Sequence, residues 1–384
     1  MMSQNPKKGP HSDGMKIAMD VSGLAELRTG TEEYIEGLVW GLNRQGVSVV
    51  GMGRHGPLLP DQPGLGLPAR PDPSLWRKWW WETVGVKRVP PAVELLHIPH
   101  LSHPASRLPV PSVVTVHDLI PWRLPSYRHR WRERAYFSQI KRTLPYATAL
   151  VAISEATRGD IADFFPGLAS KVTVIPNGVH LDFFLPVDVA LMEAAHRRNG
   201  LRRHPRLLYV GGYDARKNVP TLIEAARRVF DRVKDGELVL VGAAGRAEVL
   251  RAAASAGIGD RAILTPFLSR REVVALYHAA DVFVFPSRYE GFGLPPAQAL
   301  AAGVPVVAGN TPAVAEVLRE SAILVDAESG EAWVEAILRV LETPALAQKM
   351  AARGKIRAQD FSWEKVAEQY VTLYRRLAGG GREG

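Results

Sequence analysis

Four short segments hold residue types that could do chemistry, and each follows an apolar run that reads as a β-strand. Gly211-Gly212-Tyr213-Asp214-Ala215-Arg216-Lys217-Asn218 follows the run Leu207 to Val210, and Glu290-Gly291-Phe292-Gly293-Leu294-Pro295-Pro296 lies just beyond Val282 to Phe285. His117-Asp118-Leu119-Ile120-Pro121 follows Val113 to Val116, and Asn177-Gly178-Val179 follows Val172 to Ile175. Arg216 and Lys217 together could neutralise a diphosphate, arginine with a planar fork of donors and lysine as a point charge. Glu290 is a single carboxylate in a loop whose amides, with the amino end of the next helix, suit phosphate or sugar oxygens. That helix opens on proline and closes on Gly303. Plainer readings stand beside these: a cationic loop can simply be solvated, and a lone histidine after a strand is more often structural than catalytic.

Other patterns carry less. His97, His100 and His103 are spaced by three, but Pro99 and Pro104 argue against a regular helix and no acidic residue follows closely, so a metal site is not expected. There is no Asp-X-Asp pair to hold a divalent ion and no GxGxxG fingerprint, which leaves nicotinamide and flavin cofactors little support.

The elements that must position these residues are short β-branched runs alternating with helical segments. Ile17 to Val21, Val47 to Val50, Leu95 to Ile98, Val113 to Val116, Ala149 to Ile153 and Val172 to Ile175 make a first series. Leu207 to Val210, Leu238 to Val241, Ile263 to Thr265, Val282 to Phe285, Val304 to Val307 and Ile323 to Val325 make a second. Such alternation predicts an α/β chain of two Rossmann-like, doubly wound parallel-sheet domains facing a central cleft. The expected boundaries are a disordered tail over 1–14, a first domain over 15–186, a second over 187–358 and a terminal helical segment over 359–384. Ser269 to Glu272 has capping-box spacing, and Val366, Tyr370, Leu373, Tyr374 and Leu377 share one helical stripe. Gly178 reads as serving a left-handed turn.

A length of 384 residues suits two domains, and the absence of cysteine excludes disulfides, thiolate nucleophiles and cysteine-ligated metal centres. No run of about eighteen apolar residues occurs, so a cytoplasmic protein is expected. The net charge of +9 invites a nucleic-acid or anionic-membrane partner. No nucleic-acid-binding signature accompanies it. The basic residues Arg123, Arg128, Arg130, Arg132, Arg134, Lys141 and Arg142 read equally as a solvated face or as an anionic-surface patch. Trp76-Arg77-Lys78-Trp79-Trp80-Trp81 has a membrane-interface composition, with packing as the plainer alternative.

The segment from Pro286 to Ala308 closely resembles the donor-binding signature of the retaining glycosyltransferases of family 4, the group 1 enzymes of the GT-B fold, in which a glutamate is followed after seven residues by a second. Glu290 fills the first place and Gln298 replaces the second. The resemblance extends to His117-Asp118-Leu119, Asn177-Gly178 and Arg216-Lys217-Asn218, and so to nearly the whole chain after Met15. It implies that Glu290, with the amides of Gly291, Phe292, Gly293 and Leu294, meets the donor sugar, and that position 298 grips the nucleotide ribose. It makes Arg216 and Lys217 the stabilisers of the leaving diphosphate. His117 becomes a donor-positioning residue whose backbone carbonyl could face positive charge at the anomeric carbon, with Asp118 and Asn177 close by. Gly30, after Thr29, would sit in the glycine turn that faces the diphosphate. Backbone around Pro266, Phe267 and Leu268 would form the base pocket. The last helix would cross back to the first domain, which binds the acceptor.

By resemblance the reaction is transfer of a hexose from a nucleotide-sugar to a glycan or lipid-linked acceptor, with retention and without metal or other cofactor. The motif combination is most similar to bacterial mannosyltransferases of polysaccharide biosynthesis, which points to GDP-mannose first and a UDP-sugar second. A catalytically silent partner subunit, and an epimerase or phosphorylase of the same architecture, are the alternatives. Peripheral contact with the inner face of the cell membrane is compatible with each.

Overall fold

A computed structural model describes residues 14–21, 30–53, 56–58, 85–124, 126 and 131–379. The tail before Gly14, Ser22, Gly23, Thr29, the tryptophan cluster at 76–81, and Arg128 and Arg130 lie outside the described residues, as do the side chains of Arg132 and Arg134. The chain groups into two compact units. One comprises 1–115, 136–150 and 367–384, the other 116–135 and 151–366.

All twelve expected runs form strands. The first series gives β1 (Lys16–Asp20), β2 (Ser48–Gly53), β4 (Leu95–Ile98), β5 (Ser112–Val116), β6 (Ala149–Ala152) and β7 (Val172–Val174), in a sheet of order β3-β2-β1-β4-β5-β6-β7. The pairs β1–β2, β1–β4 and β4–β5 are parallel, with Ile17 opposite both Val49 and Leu95. The added strand is β3 (Gly56–Leu58), antiparallel to β2 at the sheet edge. Its Pro57 has no N–H for a ladder, a feature compatible with an edge strand and the reason the sequence does not advertise one here.

The second series gives β8 (Arg206–Val210), β9 (Glu237–Val241), β10 (Ala262–Leu264), β11 (Val282–Phe285), β12 (Val306–Gly309) and β13 (Ile323–Val325), in the order β10-β9-β8-β11-β12-β13. All of its pairs are parallel. β12 begins two residues later than the apolar run because Pro305 cannot donate and Val304 is still bonded to Ala299 of the preceding helix. The chain leaves β8 for one edge of this sheet and returns to β11 on the other side of it. The carboxyl ends of β8 and β11 therefore flank the topological switch point, where open α/β sheets bind ligands.

The first unit closes around a hydrogen-bonded set inside its apolar core. Helix α1 (Gly30–Arg44) supplies Tyr34, whose hydroxyl lies 2.9 Å from the Thr115 hydroxyl and 2.5 Å from that of Tyr370. His97 bonds to Thr115 at 2.8 Å and to Tyr374 at 2.6 Å, and His103 bonds to Ser112 at 2.9 Å. Two of the three spaced histidines are thus structural, and burial carries the Tyr370 hydroxyl up to about 12. Tyr370 and Tyr374 come from the last helix, whose expected stripe is buried at Val366, Tyr370, Leu373 and Tyr374 and half-buried at Leu377.

Gly178 corrects one expectation: it does not take a left-handed conformation. A Cβ there would fall 2.2–2.6 Å from the indole atoms of buried Trp363, while the next amide, Val179 N–H, donates to Phe361 O at 2.7 Å. The glycine is needed for close approach of a rigid ring. We expect Gly178→Ala to lower the unfolding free energy by about 1–3 kcal/mol, the usual effect of overpacking, read from its urea midpoint at unchanged m-value.

Candidate functional site

The loop after β8 is built to hold two cations still. Ala215–Lys217 forms a single 3-10 turn, and Asn218 ends it with a left-handed backbone (φ 53°). Asn218 tolerates that conformation better than most residues, and its amide donates to Ala327 O at 2.8 Å while its carbonyl oxygen accepts from the Thr221 hydroxyl at 2.7 Å. Pro220 then opens helix α2 (Val219–Arg232) at a position where no N–H is required. From the other strand, Arg288 N–H donates to Arg216 O at 2.8 Å, and its guanidinium to Ala215 O at 3.1 Å.

Both cations meet one carboxylate oxygen. Glu290 Oε1 accepts from Lys217 Nζ at 2.6 Å and from Arg216 Nη1 at 3.0 Å. Arg216 also donates to Tyr289 O at 3.0 Å and stands 3.3 Å from Asp214 Oδ1. Lys217 is only 7% exposed and lies 5.2 Å from the centre of the Phe285 ring, so its charge is stabilised by Glu290 and an aromatic face more than by water. Glu290 itself is carried into place by backbone that only glycine permits. A Cβ on Gly291 would lie 1.9 Å from the His117 carbonyl oxygen and 3.0 Å from Asp118 Cβ. Gly293, at φ +94°, turns the chain into helix α3 (Leu294–Ala302), whose first turn holds two prolines.

His117 and Asp118 thus pack directly against the Glu290 loop. Asp118 Oδ1 accepts from Ile120 N–H at 3.1 Å. Burial raises its carboxyl above the ordinary range, a shift that the Ile120 amide, Arg216 and Lys217 oppose and Glu290 reinforces.

His117, Asp118, Arg216, Lys217, Glu290 and Gly291 are therefore one constellation, with Phe292, Gly293 and Leu294 continuing from it. Gln298 is one turn along α3 and 5% exposed; the Tyr277 hydroxyl, with one proton to give, lies 3.3 Å from its Oε1 and 3.1 Å from Pro295 O. Asn177 is buried beyond β7, and its Oδ1 has no partner among the described residues. Pro266, Phe267 and Leu268 follow β10; Phe267 is 71% exposed, with its ring 3.6 Å from where a Cβ of Gly242 would stand. Gly30 is the exposed first residue of α1, in the other compact unit, and buried Glu32 shares that first turn. Among the described residues, no three histidine, aspartate or glutamate side chains gather into a possible metal site.

Sequence reading missed Ser154, Thr157, Asp160 and Tyr289, which surround the Glu290 loop with hydrogen bonds. The three-residue spacing of Ser154, Thr157 and Asp160 is a signal, but their partners, the Gly291 carbonyl and the Tyr289 hydroxyl, are marked by no motif. Arg123, read as part of a basic surface, is bonded to Asp160 at 2.7 Å and also to Asp163.

Two sheets, the first parallel but for its edge strand β3 and the second wholly parallel, with cations and a carboxylate at the switch point of the second, have the form of a GT-B glycosyltransferase. Residues 28–183 match the family model described as Glycosyltransferase Family 4, and residues 192–357 the model described as Glycosyl transferases group 1. The chain belongs to this family. It is 28% identical over 269 residues to O-antigen chain mannosyltransferase B of Escherichia coli, covering 69% of this chain and 70% of that protein. It is 32% identical over 292 residues to the MMP alpha-(1->4)-mannosyltransferase of Mycolicibacterium hassiacum, covering 71% and 66%. Sucrose-phosphate synthase from Thermosynechococcus elongatus shares the fold, with a TM-score of 0.72 at 24% identity over 95% of this chain and all of the other.

The raised Asp118 carboxyl gives a stability test with a definite sign. A group that binds its proton more tightly when folded stabilises the fold at low pH, and that contribution is lost as pH rises through the folded value. At about pH 7, where the carboxyl of the unfolded chain is ionised, Asp118 therefore weakens the fold relative to a neutral isostere. Asp118→Asn, which keeps the acceptor for Ile120, is expected to unfold at higher urea than the parent at neutral pH. The difference should narrow as the pH falls to about 4.

Proposed function

We propose that the protein transfers a hexose from a nucleoside diphosphate donor to a glycan or lipid-linked acceptor hydroxyl, with retention at the anomeric carbon. The observation that carries this reading is the convergence of Arg216 and Lys217 on Glu290 Oε1 across the switch point of the second sheet. A diphosphate entering there competes with Glu290 for both cations, and the released carboxylate is placed to accept from sugar hydroxyls. Gly291 to Leu294 offer backbone donors beside it, at the amino end of α3. His117 positions the donor, with Asp118 packed beside it against Gly291.

The bond that breaks joins the anomeric carbon to a phosphate oxygen, and the bond that forms joins that carbon to the acceptor oxygen on the same face. The acceptor proton passes to the leaving phosphate. Arg216 and Lys217 stabilise the charge that builds on the diphosphate, so no metal is called on and no protein nucleophile is nominated. GDP-mannose is the first donor to test, on the strength of the two mannosyltransferase relatives, and UDP-sugars the second. No helix among the described residues is long and apolar enough to cross a membrane. We place the reaction in the cytoplasm, with the net charge of +9 favouring peripheral contact with an anionic membrane face.

A thermal-shift panel of GDP, UDP, ADP and their sugar conjugates tests the reading directly. A ligand at a hundred times its dissociation constant adds about 2.7 kcal/mol. One diphosphate and its conjugate are expected to stabilise the protein, and Arg216→Ala or Lys217→Ala to lower turnover about a hundredfold or more. No response to any nucleotide would instead favour a silent partner subunit, which the replacement of a glutamate by Gln298 makes the natural second reading.

A further inference from the structure

Two residues of the donor loop, Tyr289 and Gly291, which flank Glu290, are held from one helical face that the reaction described above does not use. The helix, Glu155–Phe164, is capped by Ser154, whose Oγ accepts from Thr157 N–H at 3.0 Å. Ser154, Thr157 and Asp160 recur every three residues and so project from one side. The Ser154 hydroxyl donates to Gly291 O at 2.6 Å, and the Thr157 hydroxyl to the same oxygen at 3.1 Å. Asp160 accepts from the Tyr289 hydroxyl, and Arg123 binds Asp160 from behind through Nε at 2.7 Å. Ser154, Thr157 and Asp160 are all at most 5% exposed, so these bonds are not exchanged freely for water. The amino end of this helix is itself fixed. The Glu316 carboxylate accepts from the amides of Glu155, at 2.9 and 3.0 Å, and Ala156, at 3.3 Å.

We propose that Ser154, Thr157 and Asp160, backed by Arg123, form a positioning clamp that holds the Glu290 carboxylate in place while a diphosphate draws Arg216 and Lys217 away from it. This rests on the function proposed above for Glu290. Its logic is one of exchange. Before the donor arrives, Glu290 is held by two cations; once phosphate takes them, the side chain keeps its place only if the backbone on both sides is restrained. The carbonyl of Gly291 and the hydroxyl of Tyr289 are the restraints, one on each side of Glu290, that do not depend on the cations, unlike Tyr289 O, which Arg216 holds at 3.0 Å. Misplacing a reacting group by about 1 Å can cost about a hundredfold in rate.

The clamp is tested in the full-length protein with Tyr289→Phe, Asp160→Asn, Thr157→Val and Thr157→Ser, and with Arg158→Ala on an exposed part of the same helix as a control. Release of GDP from GDP-mannose reports kcat, titration with GDP alone reports nucleotide affinity, and amide hydrogen exchange reports the segment 289–294. The expected result is a fall in kcat of about tenfold for Tyr289→Phe and Asp160→Asn, with GDP affinity within about twofold of the parent. The double variant should be no slower than the slower single one, because the two groups act as a unit. Thr157→Ser should behave as the parent and Thr157→Val should not, and exchange over 289–294 should quicken in the impaired variants only. Unchanged kcat and unchanged exchange would overturn the clamp, as would a loss of GDP affinity and global stability in parallel with kcat. Should the unaltered protein bind none of the nucleotides of the panel and turn over none of their sugar conjugates, the proposed function fails on its own terms. Exchange over 289–294 then decides alone whether this helical face restrains the loop.

Discussion

One oxygen atom of Glu290, shared by Arg216 and Lys217, is the constraint around which the second unit is organised. The two cations come from the end of β8 and the carboxylate from the end of β11, strands that are neighbours in the sheet but about seventy residues apart in the chain. Bringing like charges together at adjacent positions is unfavourable unless a counter-charge stands between them, and Lys217 is too buried for water to serve. The ion pairing thus supports the register of β8 against β11 at the point where a ligand would enter. In the function proposed here the same arrangement is a poised site. Its cations are already desolvated and fixed by backbone bonds at Ala215, Arg216 and Asn218, so an incoming dianion meets charges whose ordering has been completed on folding.

The architecture was legible because parallel strands covered on both faces must be short continuous apolar runs, and twelve such runs stand out between helical segments. The misses have physical causes of the same local kind. β3 contains a proline and pairs only at an edge, so its sequence resembles a turn. β12 starts late because the residues before it finish the closure of the preceding helix. The capping box at Ser269 and Glu272 was readable since both of its partners lie within four residues, and the structure contains both of its bonds.

The site was legible where residue type is the signal. Arg216, Lys217 and Glu290 are charged residues at strand ends, and charge in such places asks for an explanation. What sequence did not carry was contact made by backbone. Gly291 is a glycine because the His117 carbonyl occupies the room a Cβ would need, and Gly178 because an indole does. Both look like turn residues until the neighbour is seen. Arg123 shows the converse: a cation grouped by sequence with a basic surface is held by Asp160 and Asp163 on a helix some forty residues away.

Gln298, which by resemblance stands where a second glutamate is expected, changes the chemistry that the position can offer. Its carbonyl oxygen is turned to the Tyr277 hydroxyl, which is fully buried and also held to Pro295 O. A glutamate at this place would have a second anionic oxygen beyond the one facing Tyr277, able to accept from two ribose hydroxyls. Glutamine has an amide there, which donates. In the reaction proposed here, a ribose reaching position 298 must therefore present an oxygen lone pair where it would otherwise present a proton, and it forgoes a charge-assisted bond of roughly twice the neutral strength. Binding of the donor then leans more heavily on the diphosphate, and so on Arg216 and Lys217, than it would in a chain that keeps both carboxylates.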